Sequence, residues 1–338
     1  MRTTKPPQGP RMTLPELLQL RDEKLNVHPL IKDQVIAPTP AIKEAFDIVE
    51  DALIHYESGV CFVAESRFGK TFAINLIDTT VTQHFANVPR LRVNAKEHDH
   101  PTERALYSDL LLDLGHGSPN TGTAIARRIR VFSLMLAAAQ TNASDRILLF
   151  VDEAQNWKTA DFTHMRDLSN DLTRQGISLV VVLFGHHQLH TLRTELRTAK
   201  RTDLIGRFLL SPYAFHGVRS EQDLLVTLQC YDDPDIFEFP SRSGVCISSF
   251  FLPRAYDAGW RIQREAPACW DAFATFGNHR TGHDAEIGMK WVGGAIRDFL
   301  CTHMDDDGRD FQASRDAWIQ AVQRSGFEAT LSQDPAGL

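Results

Sequence analysis

Gly69-Lys70-Thr71 and Asp152-Glu153 are the two clusters of this 338-residue sequence whose residue types could act together on a phosphate group. The first closes the stretch Ala64-Glu65-Ser66-Arg67-Phe68-Gly69-Lys70-Thr71, which follows a strand-like run and precedes the helical pattern Phe72-Ala73-Ile74-Asn75-Leu76-Ile77. That context is what a phosphate-binding loop needs. Gly69 lets the backbone turn so that successive N–H groups, from Glu65 to Phe72, point at phosphate oxygens. The positive end of the following helix adds to the field. Lys70 is placed to reach the β- and γ-phosphates of ATP as a point charge, and Thr71 offers a hydroxyl to Mg²⁺. Ala64 stands where the usual pattern has its first glycine, and its methyl is compatible if φ there is negative.

Ile147-Leu148-Leu149-Phe150-Val151 is an apolar run that ends in Asp152-Glu153. Asp152, at the end of a strand, is expected to face Thr71 and help hold the Mg²⁺ shell. Glu153 is expected to orient and deprotonate an attacking water. A strand that merely ends in solvated acids is the bland alternative, and the upstream Gly-Lys-Thr weighs against it.

These residues need a scaffold that brings strand ends together. Five strand-like runs supply one: Val60–Ala64, Leu91–Asn94, Ile147–Val151, Ser178–Phe184 and Leu209–Phe215. The third and fourth are apolar on both faces, as in a parallel sheet covered by helices on each side. A helical pattern from Ala41 to about Tyr56 precedes the five runs and others separate the earlier ones, so the sequence predicts a doubly wound α/β domain over 37–216. Residues 1–36 read as an N-terminal arm. From 217 to 338 the pattern is helical, with candidate helices at Ser220–Gln229, Pro253–Glu265, Pro267–Phe276, Ala285–Met304 and Phe311–Ser325. Periodicity leaves Cys246–Phe251 open between strand and helix.

Composition narrows the function classes. Net charge is −7, with about −8 over 211–338 and about +1 over 1–210, so any phosphate contact belongs to the first part. The 5 cysteines include no C-x-x-C pair, which points away from a zinc site and a disulfide framework and towards reduced thiols in the cytoplasm. No apolar run approaches membrane-spanning length, and the first residues lack a signal-peptide core.

The motifs resemble those of AAA+ ATPases, which implies further roles. A polar residue at the tip of the fourth strand contacts the γ-phosphate or the water in such domains. His186 is the candidate and His187 the alternate; no third ligand lies at metal-binding spacing from them. An Arg before the fifth strand serves there as a finger on a neighbour's ATP, which selects Arg207, with Arg201 as alternate. Arg254, opening a helix in the later region, is the candidate lid arginine, with Arg261 as alternate. The implied architecture is an α/β AAA+ P-loop domain with a five-stranded parallel sheet, followed by a helical lid and C-terminal region.

Glu65-Ser66-Arg67-Phe68-Gly69-Lys70-Thr71 preceded by Cys61, then Asp152-Glu153-Ala154-Gln155, the His186 loop and Gly206-Arg207-Phe208, more narrowly resemble the TnsC/TniB family. These are AAA+ regulators of bacterial transposons, including CRISPR-associated ones, and the resemblance covers about 40–300. It implies an ATP-bound homo-oligomer, a ring or spiral, assembled on double-stranded DNA without sequence preference. It also implies a TniQ-like target selector and a TnsB-like transposase as partners. Lys96, Lys158 and Arg166 are the candidate DNA contacts, with Arg127, Arg128 and Arg130 as a second set. Two other readings stand beside it: an AAA+ DNA ATPase of replication-initiator or helicase-loader type, and an ATP-switched signalling scaffold.

Overall fold

The computed structural model describes residues 12–276 and 286–331. Two compact units form: Ala41–His216, and residues 1–40 together with Gly217–Leu338. The first described helix, α1 (Leu14–Lys24), belongs to the second unit. Its start is fixed by Thr13, whose N–H and hydroxyl both donate to the Glu16 carboxylate at 2.7 and 2.8 Å.

The α/β unit runs α2 (Pro40–Ile54), β1 (Gly59–Val63), α3 (Lys70–His84), β2 (Arg90–Asn94), α4 (Glu103–Asp113), α5 (Ala124–Thr141), β3 (Arg146–Asp152), α6 (Thr159–Thr173), β4 (Ser178–Gly185), α7 (Gln188–Thr198), α8 (Thr202–Phe208) and β5 (Tyr213–Ala214). All five strands pair in parallel, in the order β2-β3-β4-β1-β5. This is the α/β fold with a five-stranded parallel sheet that the sequence predicts. β4 lies between β1 and β3, with Val63 opposite Gly185 and Val151 opposite Leu183. The carboxyl ends of the three central strands therefore form one edge, where ligands of open α/β sheets bind.

Burial explains why these runs are strands. Leu149 and Val151 pack with Tyr107, Met135 and Phe162 on one face of the sheet. Leu148 and Phe150 pack with Val49, Ile74 and Ile77 on the other. Each such side chain removed from water stabilises the fold by about 1.5–3 kcal/mol, before the entropy of ordering is counted.

The helical unit contains α9 (Glu221–Asp232), α10 (Ile247–Phe251), α11 (Pro253–Asp257), α12 (Ala266–Phe276), α13 (Met289–Thr302), α14 (Arg315–Ser325) and α15 (Phe327–Leu331). Phe250, Phe273, Phe299 and Trp318 are fully buried at its centre, and Phe299 stacks on Trp318 with ring centroids 4.1 Å apart.

Several sequence expectations change here. Of the segment expected as an arm over 1–36, the described residues, from 12 onward, group with the helical unit. Arg21 donates to the carbonyls of Phe251 and Met304 at 3.1 and 3.3 Å, and His28 is buried among Phe239, Phe250 and Phe251. The single helix expected over Pro253–Glu265 is interrupted after α11, where Gly259 takes φ 101, and only a 3-10 turn follows at Ile262–Glu265. Cys246–Phe251 resolves as helix. The strand expected over Leu209–Phe215 contracts to two residues, because Leu209 still closes α8 by donating to Ile205 O at 3.0 Å. α13 starts at Met289; its expected start, Ala285, lies outside the described residues. No helix among the described residues is long and apolar enough to cross a membrane.

Candidate nucleotide site

The loop between β1 and α3 and the turn after β3 meet at the carboxyl edge of the sheet. Ala64 extends β1, donating to Gly185 O at 3.0 Å, and stays outside the positive-φ region, so its methyl is accommodated as expected. Arg67 takes φ 69 and Gly69 φ 94, and these two left-handed residues turn the chain into α3. Only glycine adopts φ 94 without steric cost.

Lys70 is the first residue of α3 and is 7% exposed. Its ammonium reaches two loop carbonyls, Ala64 O at 3.5 Å and Glu65 O at 3.3 Å. Two long contacts to neutral acceptors satisfy a buried three-donor cation poorly, and an anionic oxygen is the partner such a group favours. The 15-residue α3 directs its N-terminal end at the same place.

Thr71 Oγ1 donates to Asp152 Oδ2 at 2.6 Å, joining the two sequence clusters across the sheet. A hydroxyl and a carboxylate side by side are the hard oxygen donors that Mg²⁺ takes, directly or through water, so these residues fit the ion. Glu153 follows at φ 53, with its N–H bonded to Asp152 Oδ1 at 3.0 Å, and its carboxylate accepts from Gln155 Nε2 at 2.6 Å. Thr71, Asp152 and Glu153 line one wall of a cleft of about 490 Å³; Arg92, Asn94 and Asp113 line another. Phe68 is half-buried beside the core that holds α3, while Ser66 and Phe72 are exposed on the loop and first turn.

His186 lies just past the end of β4, at the same edge. Its Nε2 is 3.3 Å from Glu65 Oε2, and His187 Nε2 is 2.7 Å from Glu65 Oε1. No cluster of metal-ligating residues is found among the described residues.

The arginine candidates are tethered. Arg207 donates to Ser169 Oγ at 2.7 Å and Asn170 Oδ1 at 3.0 Å, both on α6, and burial lowers its pKa from the usual guanidinium value. Arg201 holds Asp203 and Thr163, and Arg166 holds Asp167 and Asp203. The Arg201 and Arg166 guanidinium groups keep the Asp203 carboxyl well below the usual range. Arg254 donates from its backbone N–H and its side chain to Asp307, at 3.1 and 3.3 Å, within the helical unit.

Among the proposed DNA contacts, Lys96 pairs with Asp109 at 3.0 Å and Arg166 is held as above, while Lys158 is exposed at the start of α6. The second set is largely structural. Arg127 is buried and bonds Arg104 O and Thr121 O; Arg128 pairs with Asp171 at 2.6 Å; Arg130 bonds Ser118 O at 2.6 Å. Sequence reasoning did not single out the wall of Arg92, Asn94 and Asp113, nor the individual role of Gln155. No local pattern marks the former. Gln155 carries one signal, its place two residues after Glu153.

Residues 54–192 match the family model described as an AAA domain. No curated protein matches the chain in sequence. Among solved structures it is similar to the ORC2 protein of Aeropyrum pernix, with TM-score 0.56 at 11% identity over 88% of this chain and 71% of that one. A Walker-type ATPase of Pyrococcus abyssi gives TM-score 0.47 at 9% identity, over 89% of this chain and 75% of that one. Domain III of the Thermotoga maritima replication initiation protein DnaA gives 0.43 at 12%, over 86% and 94%. Within the α/β unit, residues 54–192 thus match an AAA domain model, and the fold is similar to that of A. pernix ORC2.

Proposed function

We propose that this AAA domain binds and hydrolyses Mg-ATP, and that the protein acts as an ATP-dependent regulator of DNA transposition assembled on duplex DNA. The observation that carries the first part is the 2.6 Å bond from Thr71 to Asp152 beside the buried Lys70. Lys70 and the loop N–H groups from Glu65 to Phe72 hold the phosphates. Thr71 and Asp152 hold the Mg²⁺ shell, and the bound ion supplies charge neutralisation on the phosphate oxygens. Glu153 takes a proton from the attacking water. His186 reports on the γ-phosphate from the end of β4. The A. pernix ORC2 structure describes ADPNP and ADP complexes, the same ligand class.

The second part rests on the motif resemblance to TnsC/TniB regulators and on the charge distribution, which leaves 1–210 free of the acidity of the later region. Lys158 is the first DNA contact. Lys96 and Arg166 join it by exchanging Asp109 and Asp203 for backbone phosphates. A ring or spiral multiplies these few contacts into useful affinity. Arg207 then leaves Ser169 and Asn170 for a neighbour's γ-phosphate, so that hydrolysis follows assembly. The partners are a TniQ-like selector and a TnsB-like transposase.

The test is an ATPase and DNA-binding series on the full chain. Lys70→Ala should abolish ATP binding; wild-type affinity in that variant removes the phosphate-loop assignment. Duplex DNA should stimulate turnover, and Lys96→Ala with Lys158→Ala should weaken binding to all duplexes alike with a shallower salt dependence. Turnover indifferent to DNA favours a signalling scaffold. DNA-stimulated turnover with no ATP-dependent binding to a purified TnsB-like transposase or TniQ-like protein favours an initiator- or loader-type ATPase.

A further inference from the structure

We infer that Gln155 is a positioning residue of the hydrolytic site, a strut that ties the Glu153 carboxylate to the main chain at the end of β4. The inference rests on the assignment of Glu153 as the base. One end of the Gln155 amide donates to Glu153 Oε2 at 2.6 Å, and the other accepts the His186 backbone N–H at 3.0 Å. The orientation is forced, because a carboxylate only accepts and a backbone N–H only donates. Of the standard side chains of that length, glutamine alone offers both functions on one planar group.

The turn that carries Gln155 is itself fixed. Asn156 N–H donates to Glu153 O at 2.9 Å, and the Asn156 side chain donates to Ala95 O at 2.9 Å, just past the end of β2. Gly185 leaves the passage through which the amide reaches His186. A Cβ at that position would stand 2.9 Å from Gln155 Oε1 and 2.4 Å from Leu189 Cδ1. Glu153 has little freedom of its own, with φ 53 and its N–H bonded to Asp152. The side chain of His186 meanwhile faces Glu65 of the phosphate loop. A continuous path thus runs from Glu65 through His186 and Gln155 to Glu153.

Two consequences follow for the chemistry. The hydrogen bond donated by Gln155 fixes where the Glu153 carboxylate, the group that accepts the proton of the attacking water, is held. A shift of the His186 loop against the phosphates moves the strut, and with it the base.

The experiment is steady-state ATP hydrolysis by the full chain, with ATP binding and thermal melting measured on the same samples. Wild type, Gln155→Ala, Gln155→Glu, Gly185→Ala and Glu153→Gln are compared. Gln155→Ala should bind ATP and show an unchanged KM, with kcat lowered by about tenfold or more. Gln155→Glu should lose kcat at least as far, because a carboxylate there cannot donate to that of Glu153. Gly185→Ala should share the loss in kcat by displacing the amide from outside. Wild-type kcat in Gln155→Ala, with Glu153→Gln inactive, overturns the strut alone. So does a variant that only melts earlier, with kcat per folded molecule unchanged. Wild-type turnover in Glu153→Gln overturns the assignment of the base, and the strut falls with it.

Discussion

Acidification should weaken the helical unit through one residue, His28. Its ring is 1% exposed, with the Phe239, Phe250 and Phe251 rings at 4.8, 4.3 and 4.9 Å. Nδ1 accepts from Leu30 N–H at 3.1 Å, and Nε2 has no partner among the described residues. Apolar burial disfavours the imidazolium and pushes the pKa from the usual 6.5 down to about 4. The folded pKa lies below the unfolded one, so the unfolded chain binds the proton first. The stability due to the neutral ring is present above pH ~6.5 and is lost as pH falls towards ~4. The whole difference is worth about 3 kcal/mol, of which about 2 kcal/mol is lost between pH 7 and 5. Urea unfolding at the two pH values measures it, followed by tryptophan fluorescence; Trp260, Trp270, Trp291 and Trp318 all lie in the helical unit. His28→Leu should be about 1 kcal/mol less stable at pH 7, because Leu30 N–H loses its acceptor. Its further loss on going to pH 5 should be smaller than the wild type's by about 2 kcal/mol. Equal losses in the two proteins would refute this account of His28.

Three other substitutions bear on the nucleotide site. Gly69→Ala forces an L-residue to φ 94 at a cost of about 1–2 kcal/mol, and should lower both the urea midpoint and ATP affinity. Thr71→Val keeps the volume but removes the donor to Asp152; ATP binding should lose its response to Mg²⁺, read by titration with and without chelator. Arg207→Ala strands Ser169 Oγ and Asn170 Oδ1 and should cost about 1–3 kcal/mol in the isolated chain, read by urea unfolding. Mixing Arg207→Ala with Glu153→Gln on DNA should restore hydrolysis at interfaces that pair the intact residues, and a co-assembled but inactive mixture rejects Arg207 as a finger.

What the sequence made legible was local and repetitive. β3 and β4 read correctly because they are buried on both faces, which leaves no polar interruption. The strand-to-helix setting of Gly69-Lys70-Thr71 read correctly because β1, the turn and α3 occupy one short stretch. β5 did not, because Leu209 and Leu210 look like strand residues while their carbonyls are taken by Arg193. The basic residues were harder still. Lys96 and Lys158 are equivalent as letters, yet Asp109 on α4 claims one and the other stays exposed. Arg166 and Arg207 look free until α6 and α8 pack together and supply their partners. The place of residues 12–40 was unreadable for the same reason, since Arg21 and His28 find their partners more than two hundred positions away.

That last feature sets an order of events on the ribosome. The helical unit is completed only by residues on both sides of 41–216, so α1 and His28 emerge long before Phe250, Phe251 and Met304 exist to receive them. The intervening α/β unit draws its whole sheet from one continuous stretch and can collapse while synthesis continues. A sheet already folded shortens the effective loop that α1 must close, and so lowers the entropic barrier to docking. Folding of the inserted unit first thus lowers the entropic cost of joining the two segments that flank it in sequence.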